Sequence, residues 1–430
     1  MKFMKAVLRR FRVLAYKVWA FLVEGRGVRT TAKKLWSGLW KEVDRALGIV
    51  TREILKKTTP VVKNKVFFHT QENRYACNPK YICEEMLRRG VDADIVWRVS
   101  DKNTSGVPAG VKTVIEGSFE YFKEILSANV VVTNSILAKD QYIFLNKKQT
   151  LIETWHGSLG IKRFGKNDYK SSLRWVIGAI MTGKMTDYCI TNSSFVSSSL
   201  RNTYWEKTPM LEYGHPRNDL FFDTNRERRE ALREQLCRRW NVDPDTKFVM
   251  YGPTFRDNQT FDCYNVDFDR LTTALSNRFG GKWCVLLRYH PSLMFKYKQM
   301  NIELPYTNCK VLNVTDYLDM QELIAVADAA ITDYSSWIYD FMLLRKPGFI
   351  FATDIKRYNN ERGFCYPLET TPFPIATNND RLEKNVLEFD EEQYLQKLEA
   401  FLKDKGCIED GHASERTVDL IERLIGENKQ

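Results

Sequence analysis

Short apolar runs recur along this chain, each closing on polar residues and each followed by a helical pattern. Lys65 to Phe68, Ala93 to Trp97, Ala128 to Asn134, Gln149 to Thr154, Asp187 to Asn192 and Met210 to Gly214 make one series. Lys247 to Tyr251, Trp283 to Leu287, Ala329 to Thr332 and Gly348 to Phe351 make a second. Runs this continuous suit strands covered on both faces, the usual condition of a parallel sheet. Helical stretches between them supply the cover, as from Tyr81 to Arg89 before Gly90. A highly charged stretch, Arg226 to Trp240, reads as a helix linking the two series. The pattern predicts an α/β chain with two Rossmann-like, doubly wound domains facing a cleft. Thr58-Thr59-Pro60 reads as a linker, and Glu391 to Leu424 as mostly helical. The expected division is 1–57, a basic helical segment, then 58–230 and 231–430, the latter including the C-terminal helices.

Charge separates the first segment from the rest. Residues 1–57 hold 15 Lys/Arg and 4 Asp/Glu, a net +11, while the remaining residues hold 50 of each. Apolar residues such as Phe3, Val7, Leu8, Phe11, Leu14, Val18 and Leu22 follow helical spacing, and Lys and Arg fill the positions between. The pattern resumes from Leu35 to Ile54. The longest apolar run, Val18 to Val23, is far short of the roughly 20 residues that span a bilayer. A basic amphipathic helix rich in Trp, Phe and Leu lies in a membrane interface instead. Each cation near an anionic leaflet adds about 1 kcal/mol. An anionic membrane surface is therefore the expected partner, against the plainer reading of two helices packed on the body. Nucleic acid is not expected, because the cations alternate with a wide apolar face. Nine scattered cysteines without a CxxC point to buried thiols in a reducing cytosol.

Two segments carry the chemistry. Trp155-His156-Gly157-Ser158 follows the apolar run Thr150 to Thr154, and Thr332-Asp333-Tyr334-Ser335-Ser336 follows Ala325 to Ile331. Both therefore lie where a parallel strand ends, the edge at which open α/β sheets bind ligands. His156 is a candidate base, and Gly157 allows close backbone approach. As a neutral imidazole it could take a proton from an attacking hydroxyl; the competing reading is a histidine packed beside Trp155. Ser335 and Ser336 precede a helical pattern from Trp337 to Leu344, whose free N–H groups and dipole favour a phosphate. An ordinary N-cap reads equally well there. His290, with Arg288, could contact a phosphate or cap a strand end. His215 reads as shaping a turn, and His69 as structural. Neither GxGxxG nor a P-loop occurs, and Asp333, Asp340 and Asp354 lack metal-ligand spacing. No metal or cofactor is expected.

Seven segments in order resemble the CDP-glycerol glycerophosphotransferase family of teichoic acid and capsule synthesis, over about residues 64–395. They are Asn78-Pro79-Lys80; Thr154 to Ser158 with Lys162 and Gly165; Gly214-His215-Pro216-Arg217-Asn218-Asp219; Gly252 to Asp257; Arg288-Tyr289-His290-Pro291; Thr332 to Ser336; and Arg362-Gly363-Phe364 with Pro372 and Pro374. The resemblance implies a GT-B-like fold and a metal-independent transfer. A hydroxyl of a polyprenyl-diphosphate-linked acceptor attacks the glycerol-bearing phosphate of CDP-glycerol, or of CDP-ribitol in ribitol enzymes, and CMP leaves. It makes His156 the general base. His290, Thr332, Ser335 and Ser336 hold the pyrophosphate, helped by Arg256 and Arg288, and Asp333, Gly157 and Lys162 also serve binding. The setting it implies is the cytoplasmic face of a bacterial membrane. Two alternatives remain from the residues themselves: a GT-B glycosyltransferase using a nucleotide sugar, and a non-catalytic membrane-bound binding protein.

Overall fold

The computed structural model describes residue 48 and residues 52–100, 106–138, 143–163, 173–254, 256, 263–289 and 310–426. Residues 1–58 form one compact unit and residues 59–430 another. In the first unit, residues 52–58 are helical and Ile54 is exposed. The amphipathic pattern expected upstream lies otherwise outside the described residues.

The larger unit holds two sheets. The first is built from β1 (Val62–His69), α1 (Cys77–Arg89), β2 (Asp94–Val99), β3 (Lys112–Ile115), α2 (Phe119–Ser127), β4 (Ala128–Thr133), β5 (Thr150–Glu153), α3 (Leu173–Met185), β6 (Tyr188–Thr191), α4 (Ser194–Arg201) and β7 (Met210–Glu212). Its strand order is β3-β2-β1-β4-β5-β6-β7, with every pairing parallel. α5 (Arg226–Trp240) leads into the second, made of β8 (Lys247–Tyr251), α6 (Phe268–Phe279), β9 (Trp283–Leu287), β10 (Lys310–Asn313), α7 (Met320–Val326), β11 (Ala329–Thr332), α8 (Trp337–Phe341), β12 (Gly348–Phe351), α9 (Ile355–Arg362) and β13 (Ile375–Ala376). Its order is β10-β9-β8-β11-β12-β13, again parallel. The chain ends in α10 (Asn379–Leu387), α11 (Glu391–Asp404) and α12 (Ala413–Gly426). Val66, Phe67, Phe68, Val130, Val131 and Val132 are fully buried, as are Phe248, Val249, Met250 and Cys284 to Leu287. That explains why these strands read as unbroken apolar runs.

Strand order reverses between β1 and β4 in the first sheet and between β8 and β11 in the second. Ligand crevices open at such reversals, beyond the carboxyl ends of the strands. Asn134 and His156 follow β4 and β5 of one sheet; Gly252 and Asp333 follow β8 and β11 of the other.

Three expectations change. The run Ala325 to Ile331 is not one strand, because α7 ends at Val326 and β11 starts at Ala329. Hydrophobicity alone does not separate a buried helix end from a buried strand. The division at 230/231 falls inside α5, which is continuous. The C-terminal helices are also shared out. α12 packs Val418, Leu420, Ile421 and Leu424 against Val66, Ile82, Met86, Trp97 and Val130 of the first half. Asp219 directs this return: its carboxylate accepts the backbone N–H of Ala413 at 2.9 Å and of Ser414 at 2.7 Å. The two halves are further stitched at Lys162–Phe364 and Ser193–Cys407, each a single antiparallel bridge.

Asp219→Ala removes both bonds that start α12. Loss of such a cap costs about 1–2 kcal/mol, so the urea midpoint of unfolding should fall while its slope stays unchanged.

Candidate active site

His156 is held by its neighbours on three sides. Trp155, a non-glycine residue, sits at φ 50° in the left-handed region, a conformation that costs of order 1–3 kcal/mol and is kept only where contacts over-determine it. Those contacts are present. Asn78 Nδ2 donates to the carbonyls of Thr154 at 2.8 Å and Trp155 at 3.1 Å. Trp155 N–H donates to Glu153 Oε1 at 2.8 Å, and its indole lies 4.5 Å from the His156 ring and 5.4 Å from Trp205. A Cβ at Gly157 would fall 2.8 Å from Trp155 Nε1. Glycine is needed there to admit the indole. Burial pushes the Glu153 carboxyl far up, against the lowering effect of the Trp155 and Thr154 backbone bonds.

His156 Nδ1 lies 2.8 Å from the carbonyl of Asn134. A carbonyl only accepts, so Nδ1 carries the hydrogen and the neutral ring offers Nε2 as its basic nitrogen. The ring lines a cavity of about 270 Å³ between the halves. Gln71, Arg74, Asn134 and Arg217 border it from the first half, and Arg288, Gln321, Ser335, Ser336 and Asp340 from the second. Arg288 is steadied by the carbonyls of Val314 at 3.1 Å and Tyr317 at 2.7 Å. A Cβ at Gly160 would meet Ser336 Cβ at 2.8 Å, so a glycine lets the histidine loop close on the serines.

The predicted residues thus separate into two groups. His156, Arg288, Ser335 and Ser336 meet at one cavity. Thr332, Asp333 and Arg256 turn inward instead. Thr332 is fully buried and its hydroxyl donates to Gly252 O at 2.6 Å. Arg256 lies 2.8 Å from carboxylate oxygens of both Asp333 and Asp354, under the rings of Tyr334 and Tyr358. Burial alone would raise the Asp354 carboxyl, but the bonds from Arg256 outweigh it and hold the group at about 2. Asp333 also accepts the N–H of Thr254 at 2.8 Å. These three residues shape the loops under the serines and do not border the cavity. Lys162 sits in the bridge to Phe364, also away from the cavity. His290 lies outside the described residues. The helix expected from Trp337 to Leu344 is short: α8 gives way at Met342 to a 3-10 turn ending at Leu344. Its dipole is correspondingly small, so the donors available there are the hydroxyls, local N–H groups and Arg288.

Sequence reading missed a buried polar layer that reaches from the cavity wall (Arg217, Gln321 and Asp340) to the residues behind it (Asn78, Asn218 and Glu409). Arg217 donates to His156 O at 2.9 Å and to Asp340 at 2.9 Å. Asn218 donates to Asp340 at 3.1 Å and to Glu409 at 2.7 Å. Burial pushes Glu409 up to about 8. His215 is fully buried beside it, and neither ring nitrogen has a hydrogen-bond partner. Burial first, then the Arg217 charge, push its basicity well down. A signal was present: Asn78-Pro79-Lys80 opens α1 and His215 to Asp219 stands in a turn before α5, and both are among the segments that carry the family resemblance. No group of His, Cys, Asp and Glu among the described residues is arranged to hold a metal.

Arg256→Ala leaves buried Asp333 without its cation and Asp354 with Arg357 alone, 3.1 Å away, a change that costs about 3–5 kcal/mol. Thermal unfolding without any ligand should show that loss; an unchanged melting temperature with weaker donor binding would return Arg256 to a direct substrate role.

The likeness to known proteins covers most of this site. The family model described as CDP-glycerol:poly(glycerophosphate) glycerophosphotransferase matches residues 52–423. A teichoic acid poly(glycerol phosphate) polymerase of Staphylococcus epidermidis is 31% identical over 388 residues, 85% of this chain and 51% of that protein. A teichoic acid glycerol-phosphate transferase of Staphylococcus aureus is 26% identical, over 84% of this chain and 93% of that one. A teichoic acid ribitol-phosphate primase of Bacillus spizizenii is 28% identical over 66% of this chain. The chain therefore spans about half of the polymerase and nearly all of the transferase. A variant of the wall teichoic acid polymerase TagF superposes with a TM-score of 0.76 at 27% identity, covering 91% of this chain and 99% of that one. Its two parallel α/β sheets are GT-B-like, and with nearly its whole length matched the chain belongs to the CDP-glycerol:poly(glycerophosphate) glycerophosphotransferase family.

Proposed function

We propose that this protein transfers glycerol phosphate from CDP-glycerol to a hydroxyl of a polyprenyl-diphosphate-linked acceptor, releasing CMP, in the synthesis of wall teichoic acid or a related surface polymer. One observation carries the reading: His156, Arg288, Ser335 and Ser336 border a single cavity, the base from one half and the anion-binding groups from the other. Membership of the family agrees with it. So does the TagF structure obtained after a soak with CDPG.

The step needs little from the protein beyond position and charge. His156 Nε2 takes the proton of the acceptor hydroxyl. The oxygen forms a bond to the glycerol-bearing phosphorus, and the phosphoanhydride bond to CMP breaks with its electron pair on the departing phosphate. The imidazolium then returns its proton to solvent. Charge on the transferring phosphate falls to Ser335, Ser336 and Arg288, whose donors are fixed before the reaction begins. The ribitol-phosphate primase among the relatives makes CDP-ribitol the second donor to try. Basic residues 1–57 would hold the protein on the anionic cytoplasmic face of the membrane, facing the lipid-linked acceptor. No helix among the described residues is long and apolar enough to cross a bilayer.

Purified protein given CDP-glycerol and a lipid-diphosphate disaccharide should release CMP only with acceptor present. His156→Ala should cut that release by about 10²-fold or more. Undiminished release removes His156 as base, and faster release from CDP-ribitol changes the polyol. Co-sedimentation tests the membrane reading. The protein should follow anionic vesicles at low salt, leave them as the Debye length shrinks, and ignore zwitterionic ones. Equal binding to both vesicle types would contradict it.

A further inference from the structure

Arg217 is the one described side chain that bonds both to the base residue and to the helix after the serines. Nη1 donates to the carbonyl of His156 at 2.9 Å and Nη2 to Asp340 Oδ2 at 2.9 Å. Asp340 lies in α8, which begins immediately after Ser336. The guanidinium is planar and rigid, so one group joins elements from the two halves. Its surroundings fix it in turn. Asn78 Oδ1 accepts the Arg217 backbone N–H at 3.2 Å, while the same amide holds the carbonyls of Thr154 and Trp155. Asn218 at 3.1 Å and Gln321 at 3.3 Å complete the bonds to Asp340. Arg217 and Asp340 are 3% and 2% exposed.

Such a pair is a poor way to gain stability. Desolvating two ions costs about as much as their attraction returns, and an apolar pair of similar volume often serves as well. What the pair does supply is a fixed geometry. We propose that Arg217 is a positioning residue that sets the distance and register between the His156 ring and the Ser335–Ser336 anion site. It acts through the carbonyl of His156 and the carboxylate of Asp340. The claim rests on the reading of His156 as base. A displacement near 1 Å in a pre-aligned site can cost about 10²-fold in rate, so the coupling should be read in turnover.

Arg217→Lys keeps the charge but loses the fork. Its kcat for CMP release should fall roughly 10²-fold, with the donor KM within about threefold of wild type and the midpoint of the pH–rate profile unmoved. Arg217→Gln combined with Asp340→Asn removes both charges together, avoids a lone buried ion and should show the same split in a protein whose circular dichroism matches wild type. Normal kcat in either folded variant would overturn the proposal. So would a loss confined to donor KM, which would make Arg217 a direct ligand of the donor. His156→Ala measured alongside separates the premises: an inactive His156→Ala with a fully active Arg217→Lys defeats the coupling alone, whereas an active His156→Ala defeats the base.

Discussion

The buried bond from Arg217 to Asp340 organises the cleft. Two parallel sheets, each with its own switch point, could face one another at many separations. Single bridges at Lys162–Phe364 and Ser193–Cys407 limit the range, but they join loops. The charged layer behind the cavity narrows it further, because a carboxylate and a guanidinium buried together must stay in contact or leave bare ions in a medium of low dielectric. Gln321 and Asn218 consume the remaining valence of Asp340. Lys80, which donates to Asp319 at 2.7 Å, repeats the device one step away. Bonds of this kind punish misalignment, which suits a reaction that depends on position.

Within the site, labour is divided by half. The first half presents a histidine whose tautomer is set by a backbone carbonyl and whose loop is strained into place by Asn78 and Trp155. The second presents hydroxyls and Arg288. Because α8 is only one turn long, an anion bound there would meet several separate donors more than a macrodipole. The buried cation Arg256, with Asp333 and Asp354, serves as the foundation beneath these donors. It fixes the loop after β8 to the loop after β11, and so fixes where Ser335 and Ser336 stand.

Much of this was legible in the sequence. Strands buried on both faces announce themselves as apolar runs, and a polar residue at the end of such a run marks the ligand edge. His156, Ser335 and Ser336 were singled out that way, and all three border the cavity. The same logic also picked out Thr332, Asp333 and Arg256, which are buried against protein partners. Their position beside the switch point is as predicted, but whether a polar group faces a cavity or a buried partner is decided by tertiary neighbours such as Gly252 and Asp354, far away in sequence. β3, β10 and β13 are edge or near-edge strands of two to four residues and carry too little pattern to read. The return of α12 to the first sheet was hidden for a similar reason: its cue is Asp219 accepting bonds from residues 194 and 195 positions downstream.

The most direct measurement is a crystal structure of the His156→Ala protein with CDP-glycerol bound. The diphosphate should lie in the cavity between the halves, within hydrogen-bonding distance of Ser335, Ser336 and Arg288, with the glycerol-bearing phosphate turned toward position 156. A diphosphate seated elsewhere, or a donor whose glycerol end points away from position 156, would contradict the division of base and anion site across the cleft.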